Sequence, residues 1–443
     1  MLDYEMARSL LEIALQHSKA DQTEIVLGHT EHGLTRLANG GIHQNVSVAN
    51  DQTRVRAVLG KRVGVATDNR MAAGDLRALV EQAIAVARAS EPNPEFGSLP
   101  GPELIAPNPV PDIDPADFTP ERRADAASVL VRTGAAQGLT ASGFVSTDLD
   151  TLEVGNSLGV RTYHQWTTSG VMSIMTGEDA SGYAMWDGHT LKDAPVSEMA
   201  ERAGGICRAA RDPQPIEPGH YTVILEPAAV AEMLTMLAFM GLGATPYLED
   251  RSFMSGKLGE QLVGENITLR DDTYHPGMIT LPFDFEGVPR QAVPFFEKGI
   301  ATGVVYDSLT AHKAGGGRRS TGHALPAPNP YGPVPLHLVL EPGDHSRDAM
   351  IREVERGILV TRFHYVNIVH PKETIITGMT RDGTFLIEHG AIARPVHNLR
   401  FTQNILEALR RVSAIENVQR LVNNEGVFCL VPAIRVEEFA FTS

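Results

Sequence analysis

The pattern of apolar and polar positions changes once along the chain, near residue 216. Before that point, amphipathic helical stretches flank long alternating runs. Residues 3–18 place Met6, Leu10, Leu11, Ile13 and Ala14 at helical spacing. TEIVLGHT, GLTRLANGGIHQNVSVAN and TRVRAVLGKRVGVATD then read as strands, and DLRALVEQAIAVARAS as a helix. The same order returns after Thr119-Pro120, a cap residue followed by proline at the first helical position. A helix leads to ASGFVSTDLDTLEVGN, GVRTYHQWTTSGVMSIMTG and ASGYAMWDG, and VSEMAERAGGICRAA closes the unit. Residues 1–216 therefore predict an N-terminal α+β domain built by internal duplication, with copies at 1–90 and 119–211. The period is roughly one hundred residues, which marks a duplicated module and not a solenoid. The proline-rich stretch 91–118 between the copies is expected to run extended over the surface, since proline fixes φ and removes donors.

From residue 217 to 443 short strands punctuated by Gly and Pro dominate, among them YTVIL, PLHLVLEPGD, ILVTRFHYVNIVHP and FCLVPAIRVEEFAF. Helices are expected at 227–241, 347–356 and 403–412. The whole chain is thus assigned to the α+β class. Its second half is a β-rich domain, a barrel or a sandwich, holding one buried helix.

Composition narrows the function. The chain has 443 residues and a formal charge of −16, which opposes direct nucleic-acid binding. No apolar run is long enough to span a bilayer, and the acidic amphipathic start lacks the features of a signal peptide. Cys207 and Cys429 are too few and too far apart for a disulfide framework or a zinc cluster. A cytoplasmic protein with a peptide or protein partner is the expectation, with no membrane role.

The helix at 227–241 raises a question. EPAAVAEMLTMLAFMGLGA is built like a helix held inside an enzyme, yet its one chemical group is Glu232. Other residues invite chemistry less directly. GGGRRSTG at 315–322 lacks the Gly-Lys-Ser/Thr ending of a P-loop and reads as a surface loop near a substrate or subunit interface. Arg318 and Arg319 suit a carboxylate of a peptide or partner, or form a solvated charge pair; Ser320 and His323 belong to the same loop. Ser320 and His323 are too close in sequence to argue a triad. His364 and His370 share a strand face on an even offset, and His29 and His32 fall in an expected turn; neither pair brings a full ligand set. Asp284 and Glu286 read as part of a hairpin turned at Gly287.

Several stretches resemble the TldD/PmbA family, peptidase-related proteins once described as gyrase modulators. They are TRLANGGIHQNVSV, FDFEGVPRQAVPFFEKGIATGVVYDSLTAHKAGGGRRSTGHA, LHLVLEPGD, GTFLIEHGAIARPVHNLRFTQNILEALRRV and PAIRVEEFAF, in that order over essentially the whole chain. The resemblance implies two branches that assemble as a heterodimer, TldD with TldE (PmbA). In the TldD-like branch a His-Glu-x-x-x-His helix and a later cysteine bind zinc, with the glutamate as general base. Matched on Pro227 and Gly241, this chain has Thr235 and Met240 in place of the histidines and Met236 in place of the glutamate. No histidine occurs between His220 and His275. The family's cysteine loop corresponds to ENVQRLVNNEG, and Cys429 reads as a packed core thiol.

The resemblance therefore implies a TldE/PmbA-like chain without zinc or other cofactor. A TldD-like partner subunit would supply the metal, and unfolded peptides would be the substrate, for maturation or degradation. The alternative is a metal-free scaffold, a homodimer when isolated, that binds peptides without cutting them. A stand-alone hydrolase around His364 and His370 ranks third.

Overall fold

The computed structural model describes residues 2–106 and 115–443. Its first six strands lie in one antiparallel sheet. The first copy contributes α1 (Tyr4–His17), β1 (Gln22–Ala38), β2 (Gly41–Leu59), β3 (Arg62–Asp68) and α2 (Ala73–Ala89). The second contributes α3 (Pro120–Ala136), β4 (Thr140–Asn156), β5 (Arg161–Thr176), β6 (Ser181–Gly188) and α4 (Val196–Ala209). The two are joined edge to edge: β1 pairs antiparallel with β4 from Glu24↔Asn156 to Leu37↔Gly143, giving the order β3-β2-β1-β4-β5-β6. Each copy thus supplies one free edge strand of its own to the shared sheet, β3 or β6.

Local chemistry explains these elements. Asn39 and Gly40 both take positive φ, 53° and 73°, the conformation a two-residue hairpin turn needs between β1 and β2. The Thr119 hydroxyl accepts from the Arg122 N–H at 3.2 Å, and Pro120 opens α3. The helix pairs cover one face of the sheet over Leu11, Ile25, Leu27, Val55 and Leu79 in the first copy and Leu130, Val145, Val171 and Ala203 in the second.

Two expectations change here. GHTEHG is no turn: β1 runs through it, with His29 Nδ1 2.6 Å from Asp51 Oδ1 on β2 and His32 bonded to Asp148 on β4. Both neighbouring strands complete the ladder there, which a single-strand reading could not register. The connector is also more than a spacer. Phe96 and Leu99 are buried against Val58, and the Leu99 N–H donates to Gln22 Oε1 at 2.9 Å. Residues 107–114 of the expected linker lie outside the described residues.

The second half begins with β7 (Gly219–Leu225), α5 (Pro227–Gly241) and α6 (Ala244–Leu248). β8 (Leu269–Asp271), β9 (Val293–Glu297), β10 (Ile300–Ala301), α7 (Ser308–Ala314) and β11 (His337–Leu340) follow. Then come α8 (Arg347–Arg352), β12 (Arg356–His370), β13 (Ile375–Glu388), β14 (Ala391–Pro395), β15 (Arg400–Asn404) and α9 (Ile405–Arg410). β16 (Val412–Ile415), β17 (Arg420–Asn424), β18 (Val427–Val431) and β19 (Ile434–Phe441) complete the chain's elements. The helices expected at 347–356 and 403–412 are shorter than read, because strand pairing claims their ends: Arg356 pairs with Glu388 and Gln403 with Ile376.

β12, β7, β19, β15 and β13 close into a five-stranded barrel, since β13 returns to pair with β12. Phe363, Phe401 and Phe439 meet in its core, the first two with ring centroids 4.4 Å apart. A second sheet runs β10-β9-β8-β11-β18-β17. Helix α5 is packed between them, against β12 on one side and β17 and β18 on the other.

Several contacts fasten the halves, two of them side by side. Val26, Leu152 and Val154 of the first sheet pack on Leu281 and Phe283. Beside them Arg56 reaches Glu24 at 2.5 Å and Glu286 at 3.0 Å, all three largely buried.

Candidate functional site

Helix α5 is where the sequence expects chemistry. Pro227 fits its first turn, Ala, Leu and Met favour its interior, and Gly241 and Gly243 flank its end. The Glu226 carboxylate before it makes no side-chain cap and is held instead by Arg202 and by Arg347, the latter at 2.7 Å. Val230, Met233, Leu234 and Leu237 are fully buried, each worth about 1.5–3 kcal/mol on leaving water. The part-open positions are Ala228, Glu232, Met236 and Phe239, one stripe at helical spacing.

The positions of interest fall on both sides of this division. Thr235 is 0 % exposed and Met240 is 3 % exposed, while Met236 sits on the half-open stripe. Against Thr235 lies Cys429 of β18, its Sγ 3.6 Å from Thr235 Oγ1 and 3.8 Å from the Ala231 carbonyl. Cys429 is a core thiol, as expected. Its neighbour was not legible, because nothing local in FCLVP marks which helix β18 faces. Glu232 accepts from the Val366 N–H. Burial lifts its carboxyl to about 7; Arg362 opposes that rise and Glu425 adds to it.

The loop at 315–322 scatters its candidates. Gly315, Gly316 and Gly317 all have positive φ. Arg318 stacks over the Tyr306 ring at 4.8 Å, and Arg319 Nη2 lies 2.7 Å from Glu103. The Ser320 hydroxyl donates to the Tyr306 carbonyl at 3.1 Å and accepts from the Gly322 N–H. His323 turns inward and is 0 % exposed, so in this conformation its ring offers nothing to a surface peptide. The four residues form no single site; the two arginines alone remain at the surface.

His323 joins a buried polar group that the sequence reading did not assemble. Asp271 Oδ1 lies 3.1 Å from His323 Nε2, and Asp271 Oδ2 accepts from the N–H groups of Leu336 and His337. Burial would raise this carboxyl, but His323, His337 and Arg290 outweigh it and hold it at about 2. Burial also pushes His337 down to about 3 and lowers His323, the latter against the pull of Asp271. Arg290 is buried beside them.

The remaining candidates are structural. Asp284 accepts from the N–H groups of Glu286 and Val288, and Gly287 takes φ 74° in the tight turn between Phe283 and Pro289. His364 and His370 do not share a simple strand face. Tyr365 has φ 56°, and the β12–β13 register slips on both sides of Asn367 and Ile368, which breaks the alternation.

The family description "PmbA/TldA metallopeptidase C-terminal domain" matches residues 218–443, more than half of the chain, and that for domain 1 matches residues 23–87. The chain belongs to the PmbA/TldD family. It is 31% identical over 299 residues to an uncharacterized Methanocaldococcus jannaschii protein, covering 65% of this chain and 68% of that one. It is 25% identical over 463 residues to metalloprotease PmbA of Escherichia coli O157:H7, covering 98% and 97%. A metalloprotease of Methanothermobacter thermautotrophicus is matched at 26% identity over 52% of this chain but only 50% of its own length. The solved structure of TldE from Thermococcus kodakarensis has the same fold, with a TM-score of 0.89, 21% identity and coverage of 98% and 99%.

A PmbA/TldD metallopeptidase domain implies a metal, so the donors on α5 can be tested against one. They are the Thr235 hydroxyl and the Met236 and Met240 thioethers at the matched positions, the Glu232 carboxylate one turn earlier, and the Cys429 thiol facing the helix from β18. Burial lifts that thiol to about 12. Zinc takes imidazole, thiolate and carboxylate; the matched positions supply none of these, and Glu232 lies on the half-open stripe while Cys429 packs on the buried face at Thr235. Among the described residues, no three His, Cys, Asp or Glu side chains are grouped to hold an ion. The residues do not fit zinc here, and no step through a metal is derived. No helix among the described residues is long and apolar enough to cross a membrane.

Proposed function

We propose that this chain is the TldE/PmbA-like, zinc-free subunit of a two-subunit cytoplasmic peptidase that acts on unfolded peptides. A TldD-like partner supplies the metal and the activated water. The observation that carries the reading is the side chains at the matched positions of α5, a buried hydroxyl and two thioethers, where the resemblance puts zinc ligands and a general base in the other branch. This chain's part is to complete an enclosed site and to hold extended substrate. Its surface charge, formally −16 over the chain, leaves nucleic acid aside.

The test is peptide cleavage by the purified chain alone and after mixing with a TldD-like partner, each with and without a chelator. Cleavage is expected with the partner only, and the chelator is expected to abolish it. Robust chelator-sensitive cleavage by the isolated chain would overturn the reading.

A further inference from the structure

Between the two halves of the molecule lies a cavity of about 400 Å3. One wall is β6, the free edge of the first sheet; the facing wall is β17, the free edge of the second. These two strands approach but do not pair. Among the described residues, their direct bond is from the Asn423 N–H to the Asp187 carboxylate at 2.9 Å, a side chain standing where a strand partner's carbonyl would.

That bond fixes which backbone groups face the gap. Asn424 and Val427 close the β17–β18 hairpin, so Arg420, Val422 and Asn424 bond to β18 while Leu421 and Asn423 turn outward. On β6 the Gly177–Ala180 closing pair leaves Tyr183, Met185 and Asp187 outward in the same way. Among the described residues, the outward N–H and C=O groups of Leu421, Tyr183 and Met185 have no hydrogen-bond partner. Unpaired edges of this kind are templates for another strand.

The lining selects the strand's character. Trp186, Met199, Leu421 and Val422 make the walls apolar. Of the charged lining residues, Arg202 is paired with Glu226, and Arg420 with Glu416 at 2.9 Å, so neither arginine is free to choose an acidic ligand, while Glu198 is an exposed carboxylate at the rim. The volume lies within the range of small-ligand pockets and suits a few residues of extended chain. We infer that the gap between β6 and β17 is a strand-insertion site on this subunit, which takes a short, uncharged, apolar segment of unfolded peptide by backbone pairing to Leu421 and Met185. The inference rests on the peptide-handling reading above and adds to it a location in this chain, apart from the buried Thr235 and Met240.

The experiment uses fluorescein-labelled Gly-Val-Leu-Val-Gly and fluorescence anisotropy on the isolated full chain. Saturable binding is expected, weakened at least tenfold when alternate backbone nitrogens of the probe are methylated, since its side chains are kept and its strand donors lost. Leu421→Pro removes one outward donor at a position not bonded to β18, and is expected to weaken binding at least fivefold; Leu421→Ala keeps the donor and weakens it less. The thermal transition of each variant shows that it is folded, and the methylated probe on wild-type protein carries the test if the proline variant is not. Absence of saturable binding, or equal binding of plain and methylated probes, overturns the site. Either result leaves the two-subunit reading to the cleavage assay, so the two can fail separately.

Discussion

Arg56→Met is the substitution for which the structure supplies the clearest magnitude. The Arg56 side chain is 13% exposed and reaches Glu24 at 2.5 Å and Glu286 at 3.0 Å, whose side chains are 3% and 7% exposed. Glu24 and Arg56 belong to the first sheet; Glu286 belongs to the turn that packs against it, and also accepts from the Ser308 N–H at 3.0 Å. Methionine keeps most of the stem and removes the charge, leaving two carboxylates buried side by side. Breaking one buried ion pair costs about 3–5 kcal/mol, and because one guanidinium serves both acids here, the upper end, about 5 kcal/mol at pH 8, is expected. At pH 5 the loss should shrink to about 2 kcal/mol, because burial already lifts Glu24 to about 7 against the pull of Arg56, and without the guanidinium Glu24 is neutral at that pH. Urea unfolding followed by tryptophan fluorescence reads the joint directly, since Trp166 packs in the cluster with Leu281 and Phe283. The variant Glu24→Gln, Arg56→Met, Glu286→Gln should recover most of the loss, because no charge is then stranded. A loss below about 1 kcal/mol at pH 8, or one that is equal at both pH values, would refute the argument that this cluster fastens the halves as an ionic joint.

Two further outcomes follow from burial. Burial raises the carboxyls of Asp187 and Glu232 to about 7 from ordinary values of 3.8 and 4.5. The folded chain therefore keeps protons that the unfolded chain has lost, and the stability these groups contribute at low pH is lost as pH rises through 7. Asp187→Asn with Glu232→Gln should flatten the fall in urea midpoint between pH 5 and pH 8, by on the order of 1 kcal/mol per site, since both side chains are partly open to solvent; an unchanged slope would count against it. Met240→Ala should cost about 2–5 kcal/mol by leaving a cavity under α5, measured by the same unfolding, and a change under 1 kcal/mol would show that the helix end can collapse.

What was legible in the sequence follows from the range of the forces involved. The duplication, the helices at 4–17 and 227–241 and the turn at Gly287 depend on spacing within a few residues, and periodicity, caps and turn residues carry them. The joining of β1 to β4 is different. It pairs residues more than a hundred positions apart, and a strand looks the same whichever neighbour completes it. His29 and His32 were misplaced for that reason: a Gly-His-Thr-Glu-His-Gly run has turn-like composition, but hydrogen bonds to Asp51 and Asp148 on both neighbours keep it extended. The Asp271, His323, His337 and Arg290 group was invisible for a related reason. Its members come from four separate segments, and each taken alone reads as a surface polar residue.

The same division explains α5. Seen as sequence, Thr235, Met236 and Met240 are positions that lack ligands. Seen in the fold, Thr235 and Met240 are also positions that lack room, with Cys429 3.6 Å from the threonine hydroxyl and the helix wedged between the barrel and the second sheet. An imidazole at either place would have to displace close-packed neighbours, and overpacking a core of this kind costs about 1–3 kcal/mol before any ion is bound. The side-chain chemistry at these positions and the closed space around them therefore point the same way. With Met240 buried at the end of α5, packing itself opposes a polar side chain there. What remains open on this side of the molecule is the stripe of Glu232, Met236 and Phe239 and, beyond the helix start, the gap between two unpaired strand edges. Those are the surfaces on which the proposed peptide-holding role rests.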